Sequence, residues 1–427
     1  MLTGAADDGA ADGASDKGCD GDAIDIVLDA ATLLYTNGQS TTMTLTAVER
    51  LNRGLGTTST LIPAWASLLV VGPRNTIRVA AVSPTAVSMR RVAATMASVD
   101  RAQDGPLDPT VVRRELAAAQ RESVSNFLIF TAACATGAGA LAVIFGAHHP
   151  LTVLVAAFSA GLGGLARRGL GRLGFGILTQ GFTAALIAGL IGVVAARLSI
   201  DDALSLVVLC PAMVLVPGPH ILNGALDLLG LRITLGIARL SYAATILVAI
   251  AAGLILGLAA DGQSLSVAQT GASVPLYVDV LAAGVAAGSY PVFFSMPYRM
   301  IGWPVAVGML GHATHWWALT VWHTDIATAA LISCLITGVL LIPISHSLRI
   351  PFAAIGFASV VALVPGVYVF RMLAGLVQFA TAPTADLLTS LTSDGAVAAL
   401  IITGMATGLA VPMHIYAVLT DAREKPR

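Results

Sequence analysis

The chain has 427 residues, of which 56% are hydrophobic and 11% charged, with a formal net charge of −1. Soluble domains carry about 25% charged residues, and the mean hydropathy here is +0.83, so lipid rather than water is the solvent for most of the chain. A charge this close to zero excludes a polyanionic partner, and nucleic acid with it.

Residues 1–22 are acidic, low in complexity and without apolar anchors, which predicts a disordered tail. They contain no apolar run of the kind a secretion signal needs, so the N-terminal region is expected in the cytoplasm. Residues 23–122 read as a small α/β domain. AIDIVLDAATLLYTNG has helical spacing and stops at Gly38, and TLTAVERLNRGLG is a second helix. WASLLVV and TIRVAAV read as two strands around the turn GPRN. SPTAVSMRRVAATMASVDR and DPTVVRRELAAAQRES are further helices, each opening with a Ser or Asp cap before Pro.

From residue 123 the texture changes. A bilayer core takes about 20 apolar residues per helix. Ten stretches qualify: 126–146, 151–166, 175–196, 203–222, 234–259, 275–296, 301–321, 326–345, 351–370 and 395–418. Basic residues alternate between sides. Arg167, Arg168, Arg172, Arg232, Arg299, Arg349 and the tail 421–427 fall on one, while the other holds only Arg197 and Arg371. The positive-inside rule then puts both termini in the cytoplasm.

MVLVPG (213–218) in the fourth span returns as VALVPG (361–366) in the ninth. GLILG (253–257) in the fifth returns as GMATG (404–408) in the tenth. The membrane part therefore reads as two five-helix repeats, 123–262 and 263–420. Five is odd, so the second copy is upside down, a plan that sets a binding site between the copies. The fold class expected is an all-α polytopic membrane protein of about ten transmembrane helices, as two inverted five-helix repeats, with a small N-terminal cytoplasmic α/β domain.

Candidate chemistry collects at the repeated breaks. Pro217 and Gly218, and Pro365 and Gly366, interrupt their spans, and each restarted helix offers N–H groups and a partial positive charge to a carboxylate. A plain packing kink is the alternative. Asn223, Asp227 and Arg371 follow the breaks. Arg371 suits a substrate carboxylate and Asp227 an ammonium group, although both residues also fit the membrane interfaces as anchors. His312, near mid-span, is the candidate for proton coupling, with Asp227 as a second. Asp279 reads as a helix cap, and His315, beside Trp316 and Trp317, as part of an aromatic belt. The GxxxG runs 253–257, 284–288 and 404–408 read as close helix contacts. Cys134, Cys210 and Cys334 lie in apolar stretches and Cys19 stands alone; without CxxC pairs or zinc spacing, neither a metal nor a cofactor is expected.

The order of LLYTNGQST (33–41), five helices with PAMVLVPGPHILNGALDLLGLRITLGIARL (211–240) and five more helices resembles the threonine/serine exporter family over residues 23–420. Its most specific pattern is carried by Pro217, Gly218, Asn223, Asp227, Gly236 and Arg239. Met43 and Leu45 stand where members of that family often have Arg and Glu, which puts the function of those two positions in doubt for this chain. The resemblance implies a secondary exporter of threonine, serine or a similar small polar acid in a bacterial inner membrane, driven by the proton motive force. Its partners would be the substrate, protons and lipid, and it leaves a homo-oligomer open. No enzyme activity is expected. The alternatives are a dicarboxylate exporter of the same fold, a passive channel, and a membrane-embedded enzyme using Asp227 with a histidine.

Overall fold

The computed structural model describes residues 10–198, 204–263 and 274–424. Residues 1–9 of the acidic tail, most of the connection expected after residue 260 and the last three residues lie outside that description. The chain divides into two compact units, Met1–Ser123 and Val124–Arg427.

In the first unit, α1 (Ala10–Thr36) packs against α2 (Thr41–Leu55), β2 (Ser67–Val71), β3 (Ile77–Ala81), α3 (Met89–Asp100) and α4 (Pro109–Gln120). Ile24, Val27, Ala31 and Leu34, at helical spacing, are completely buried or nearly so. α1 begins at Ala10, inside the segment expected to be disordered. The sheet runs β1 (Thr60–Ala64), β2, β3, antiparallel throughout. Leu68 and Val70 of β2 point inward at the two-residue period of a strand. The β2–β3 turn has the left-handed pair that matches strand twist, with Arg74 at φ 53° and Asn75 at φ 60°. Ser40 caps α2 by accepting the Met43 N–H, and Asp108 caps α4 by accepting the Thr110 N–H. α3 starts later than expected, after Ser88 rather than Ser83, because the Ser88 N–H is tied to the Asn37 carbonyl at 3.0 Å.

The second unit holds α5 (Phe127–Ile144), α6 (Pro150–Arg172), α7 (Ile177–Arg197), α8 (Leu204–Val214), α9 (Gly218–Leu229) and α10 (Ile233–Ala259). It continues with α11 (Leu276–Phe293), α12 (Gly302–Thr320), α13 (Ile326–Ser347), α14 (Phe352–Val360), α15 (Gly366–Thr381) and α16 (Ala385–Glu424). Seven helices among the described residues are long and apolar enough to cross a membrane, and the bent pairs α8–α9 and α14–α15 raise this to nine. Of the ten expected spans, the one at α12 is outside that number: its polar second half (His312, Thr314, His315) lowers its hydropathy. Large apolar side chains stand exposed along the spans, including Leu128, Phe158, Val194, Leu256, Leu281, Val339 and Leu400, as a lipid-facing surface requires.

Packing within the two halves follows one scheme. α5 meets α6, α6 meets α7, α7 meets α10 and α9 meets α10; correspondingly α11 meets α12, α12 meets α13, α13 meets α16 and α15 meets α16. Cross-contacts are reciprocal too, α10 with α15 and α9 with α16. The GxxxG runs make the closest approaches in each half. A Cβ on Gly253 would fall 2.2 Å from the Phe182 carbonyl, and one on Gly408 2.7 Å from the Leu331 carbonyl.

Candidate functional site

Each half contains one interrupted span. α8 and α9 meet at 65°, and α14 with its 3-10 extension meets α15 at 53°. The breaks have almost the same backbone, with Pro217 at φ −78°, ψ 57° and Pro365 at φ −78°, ψ 46°. Each proline is the centre of an inverse γ-turn, in which the following glycine N–H donates to the carbonyl two residues back at 2.8 Å. This qualifies the expectation of two open helix starts. In α9 the Gly218 N–H is used, Pro219 has none, and the His220 N–H donates to the Pro217 carbonyl. In α15 the Gly366 N–H is used, whereas Val367 and Tyr368 find no backbone acceptor. Of the two restarted helices, α15 is the one whose second and third N–H groups have no backbone acceptor.

The breaks are brought together. Gly218 lies against Phe357 of α14, where a Cβ would fall 2.2 Å from the ring, and Gly366 lies against Met213 of α8 at 3.0 Å. Met213, Val216 and Gly218 from one break and Val361, Val364 and Gly366 from the other line one small cavity, closed by Tyr290 and Phe357. It has room for about one water molecule, not an amino acid.

Four ion pairs, in three groups, lie buried among the described residues of this unit. On α9, Asp227 is 1% exposed; it accepts from Arg232 Nε at 2.8 Å and lies 3.0 Å from Nε of Arg239, which is 0% exposed. On α15, Arg371 lies 3.2 Å from Asp394 of α16, both buried, and near the ring of Tyr368. On α12, His312 Nδ1 is 2.7 Å from the Asp279 carboxylate of α11, again both buried. His312 Nε2 has no hydrogen-bond partner, and the His315 ring lies 5.7 Å away. Asn223 is buried on α9, near His220, whose ring meets Tyr242 edge-on.

The family model described as "Putative threonine/serine exporter" matches residues 25–260, more than half of the chain. A second model, "Threonine/Serine exporter, ThrE", matches residues 279–415. The chain belongs to the threonine/serine exporter family. Comparison with curated proteins and with solved structures finds no match. Exporter membership agrees with the apolar spans: the chain is a multi-pass membrane protein of a family that moves small molecules across a membrane.

For this exporter chain, the residues named from sequence fall into two groups. Gly218 and Gly366 line the cavity, and Pro217 and Pro365 set the turns just before them. Asp227 and Arg371 do not line it and are buried in ion pairs. Sequence reasoning missed Asp394, and took Asp279 for a cap when it is the partner of His312. An aspartate in TSDGAV before an apolar run reads as a helix end, and only the register of α16 against α15 sets it beside Arg371. Met43 and Leu45 lie in the first turns of α2, behind the Ser40 cap.

Proposed function

We propose that this protein exports threonine, serine or a similar small polar amino acid across a bacterial inner membrane, by alternating access between two inverted five-helix halves. The observation that carries the reading is the reciprocal crossing of the broken spans, in which each glycine packs on the first segment of the other half. Such a crossing is narrow because backbone meets side chain with no Cβ between, and a small rotation of one half opens it. Substrate would then lie against Pro217, Gly218, Pro365 and Gly366, with Asn223 as a polar neighbour and the Val367 and Tyr368 N–H groups facing its carboxylate.

Asp227 and Arg371 hold opposite charges on the two restarted helices. In this reading they exchange their protein partners for the substrate's ammonium and carboxylate as the halves move. Proton coupling falls to His312. A buried imidazole against the Asp279 carboxylate, its second nitrogen unpartnered, can take a proton from one side and release it to the other. Both termini would lie in the cytoplasm. A dicarboxylate would call for a second cation beside Arg371, where the neighbour is Asp394. An enzyme built on Asp227 would need that carboxylate free, and two arginines engage it.

The test is efflux from cells preloaded with threonine- and serine-containing dipeptides, with and without the protein and with an uncoupler. Export that depends on the protein and stops with the uncoupler is expected. Export indifferent to the uncoupler would leave a passive channel, and unchanged intracellular threonine and serine would remove the substrate assignment.

A further inference from the structure

The basic run after the second span was expected in a connection, but α6 continues through Arg167 and Arg168 to Arg172. The arginines then diverge. Arg168 stands over the Phe130 ring at 4.1 Å and Arg172 over Phe127 at 4.6 Å, both on α5. Arg167 stands over the Phe293 ring of α11 at 4.8 Å, facing the other half. Phe293 belongs to a continuous aromatic layer: its ring lies 6.2 Å from Tyr290 and 5.2 Å from Phe294, which in turn lies 5.2 Å from Phe357. Tyr290 and Phe357 are walls of the crossing cavity. One layer of rings therefore separates Arg167 from the two breaks.

Arg167 differs from Arg168 and Arg172 in facing the other half, and from the arginines near the breaks in its charge balance. Arg232, Arg239 and Arg371 each have an aspartate. Arg167 is half-buried with no carboxylate in ion-pair reach among the described residues. A cation withdrawn from water without a counter-charge is costly, and a cation–π contact restores only part of the loss. An unbalanced cation in a membrane segment therefore marks a place for an anion. Its planar fork fits a carboxylate with two parallel hydrogen bonds.

We propose that Arg167 is a binding residue for the carboxylate of the transported molecule, holding it on one side of the Tyr290–Phe293–Phe294–Phe357 layer before it reaches the crossing. This rests on the export reading. Arg371, already neutralised by Asp394, then takes the carboxylate only once the halves move, and Arg167 is the first cation the substrate meets. The aromatic rings beneath it accept the aliphatic part of a small side chain, so small carboxylates of the α-amino-acid class fit best.

The test uses the full-length protein in nanodiscs of phosphatidylcholine, with labelled threonine displaced by threonine or by threoninol, which replaces the carboxylate with an alcohol. Wild type is expected to prefer threonine by about tenfold or more, the worth of a charge-assisted pair. Arg167→Gln should bring threonine down to the threoninol level, while Arg168→Gln keeps the preference. Arg167→Lys, which retains the charge, should fall between, and it carries the test should the Gln variant not remain monodisperse. A preference unchanged in the Arg167 variants overturns the proposal. So does a preference that vanishes in phosphatidylglycerol nanodiscs, with Arg167→Gln indifferent to lipid, since that assigns Arg167 to a headgroup phosphate. Wild type binding neither threonine nor serine contradicts the export reading instead, and succinate against succinamide then makes the same test of Arg167.

Discussion

In the first half of the membrane unit the restarted helix carries an acid and the last helix a base, Asp227 against Arg239. In the second half the signs are exchanged, Arg371 against Asp394. The backbone scheme is otherwise shared, with the same proline-centred turn, the same order of helix contacts and the same Gly-rich packing of third against fifth helix. What the fold needs at this place is a buried acid–base contact tying the restarted helix to the last one, and its polarity is free to differ. The halves differ again between their first two helices. Asp279 and His312 pair there in the second half, whereas α5 and α6 carry neither an acid nor a histidine.

Removing one member of a pair strands its partner, and this is the largest effect expected. Asp227→Ala leaves Arg239 fully buried and Arg232 partly so, a loss of about 3–5 kcal/mol, read as a lower unfolding temperature of the purified protein. Asp394→Ala strands Arg371 alone and should cost less. The exchange Arg371→Asp with Asp394→Arg should recover part of the loss if polarity is free, and none if the sign matters to the fold.

The glycines sharpen the comparison further. Gly218→Ala forces a methyl group against a ring already packed on Phe294, a cost of about 1–3 kcal/mol, with export lost. Gly366→Ala meets the flexible side chain of Met213 and should be milder. Phe357→Leu should rescue Gly218→Ala and leave Gly366→Ala unchanged. His312→Gln tests the difference between the first helix pairs: export should persist at a reduced rate but no longer respond to an imposed proton gradient. Asn223→Ala, in the first half, should leave that response intact.

The smallest effect lies outside the membrane unit. Hydrogen bonds from the Thr110 hydroxyl and N–H hold the Asp108 carboxyl below the usual carboxylate range. A depressed carboxylate contributes stability above its unfolded pKa of about 3.9 and loses it as the pH falls through the lower folded value. Amide exchange in the first turn of α4 should stay slow at pH 5 and speed up below pH 4 beyond its intrinsic trend. Asp108→Asn should show no such step.

Legibility in the sequence followed the range of the interactions. The breaks could be read because proline and glycine act on their own backbone, and the β2–β3 turn and the Asp108 cap for the same reason. β1 is not among the expected strands; it carries Pro63 at the sheet edge, where a missing N–H is tolerated. The second span was ended too early, since two arginines close a hydropathy window although their side chains lie on aromatic rings of α5 and α11. The partners of Arg371 and His312 were out of reach: Asp394 and Asp279 are 23 and 33 residues away, and only helix register joins them.

The central claim is that the crossing of the two breaks opens to one side at a time. Val216→Cys and Val364→Cys, each made in a protein with the four native cysteines replaced, report it through labelling by a membrane-impermeant maleimide from either face. The account predicts that both positions are reached from both faces, that threonine shifts the two together, and that locking one face closed raises labelling from the other. Positions that stay unlabelled from both faces, or that respond independently of one another, would contradict it.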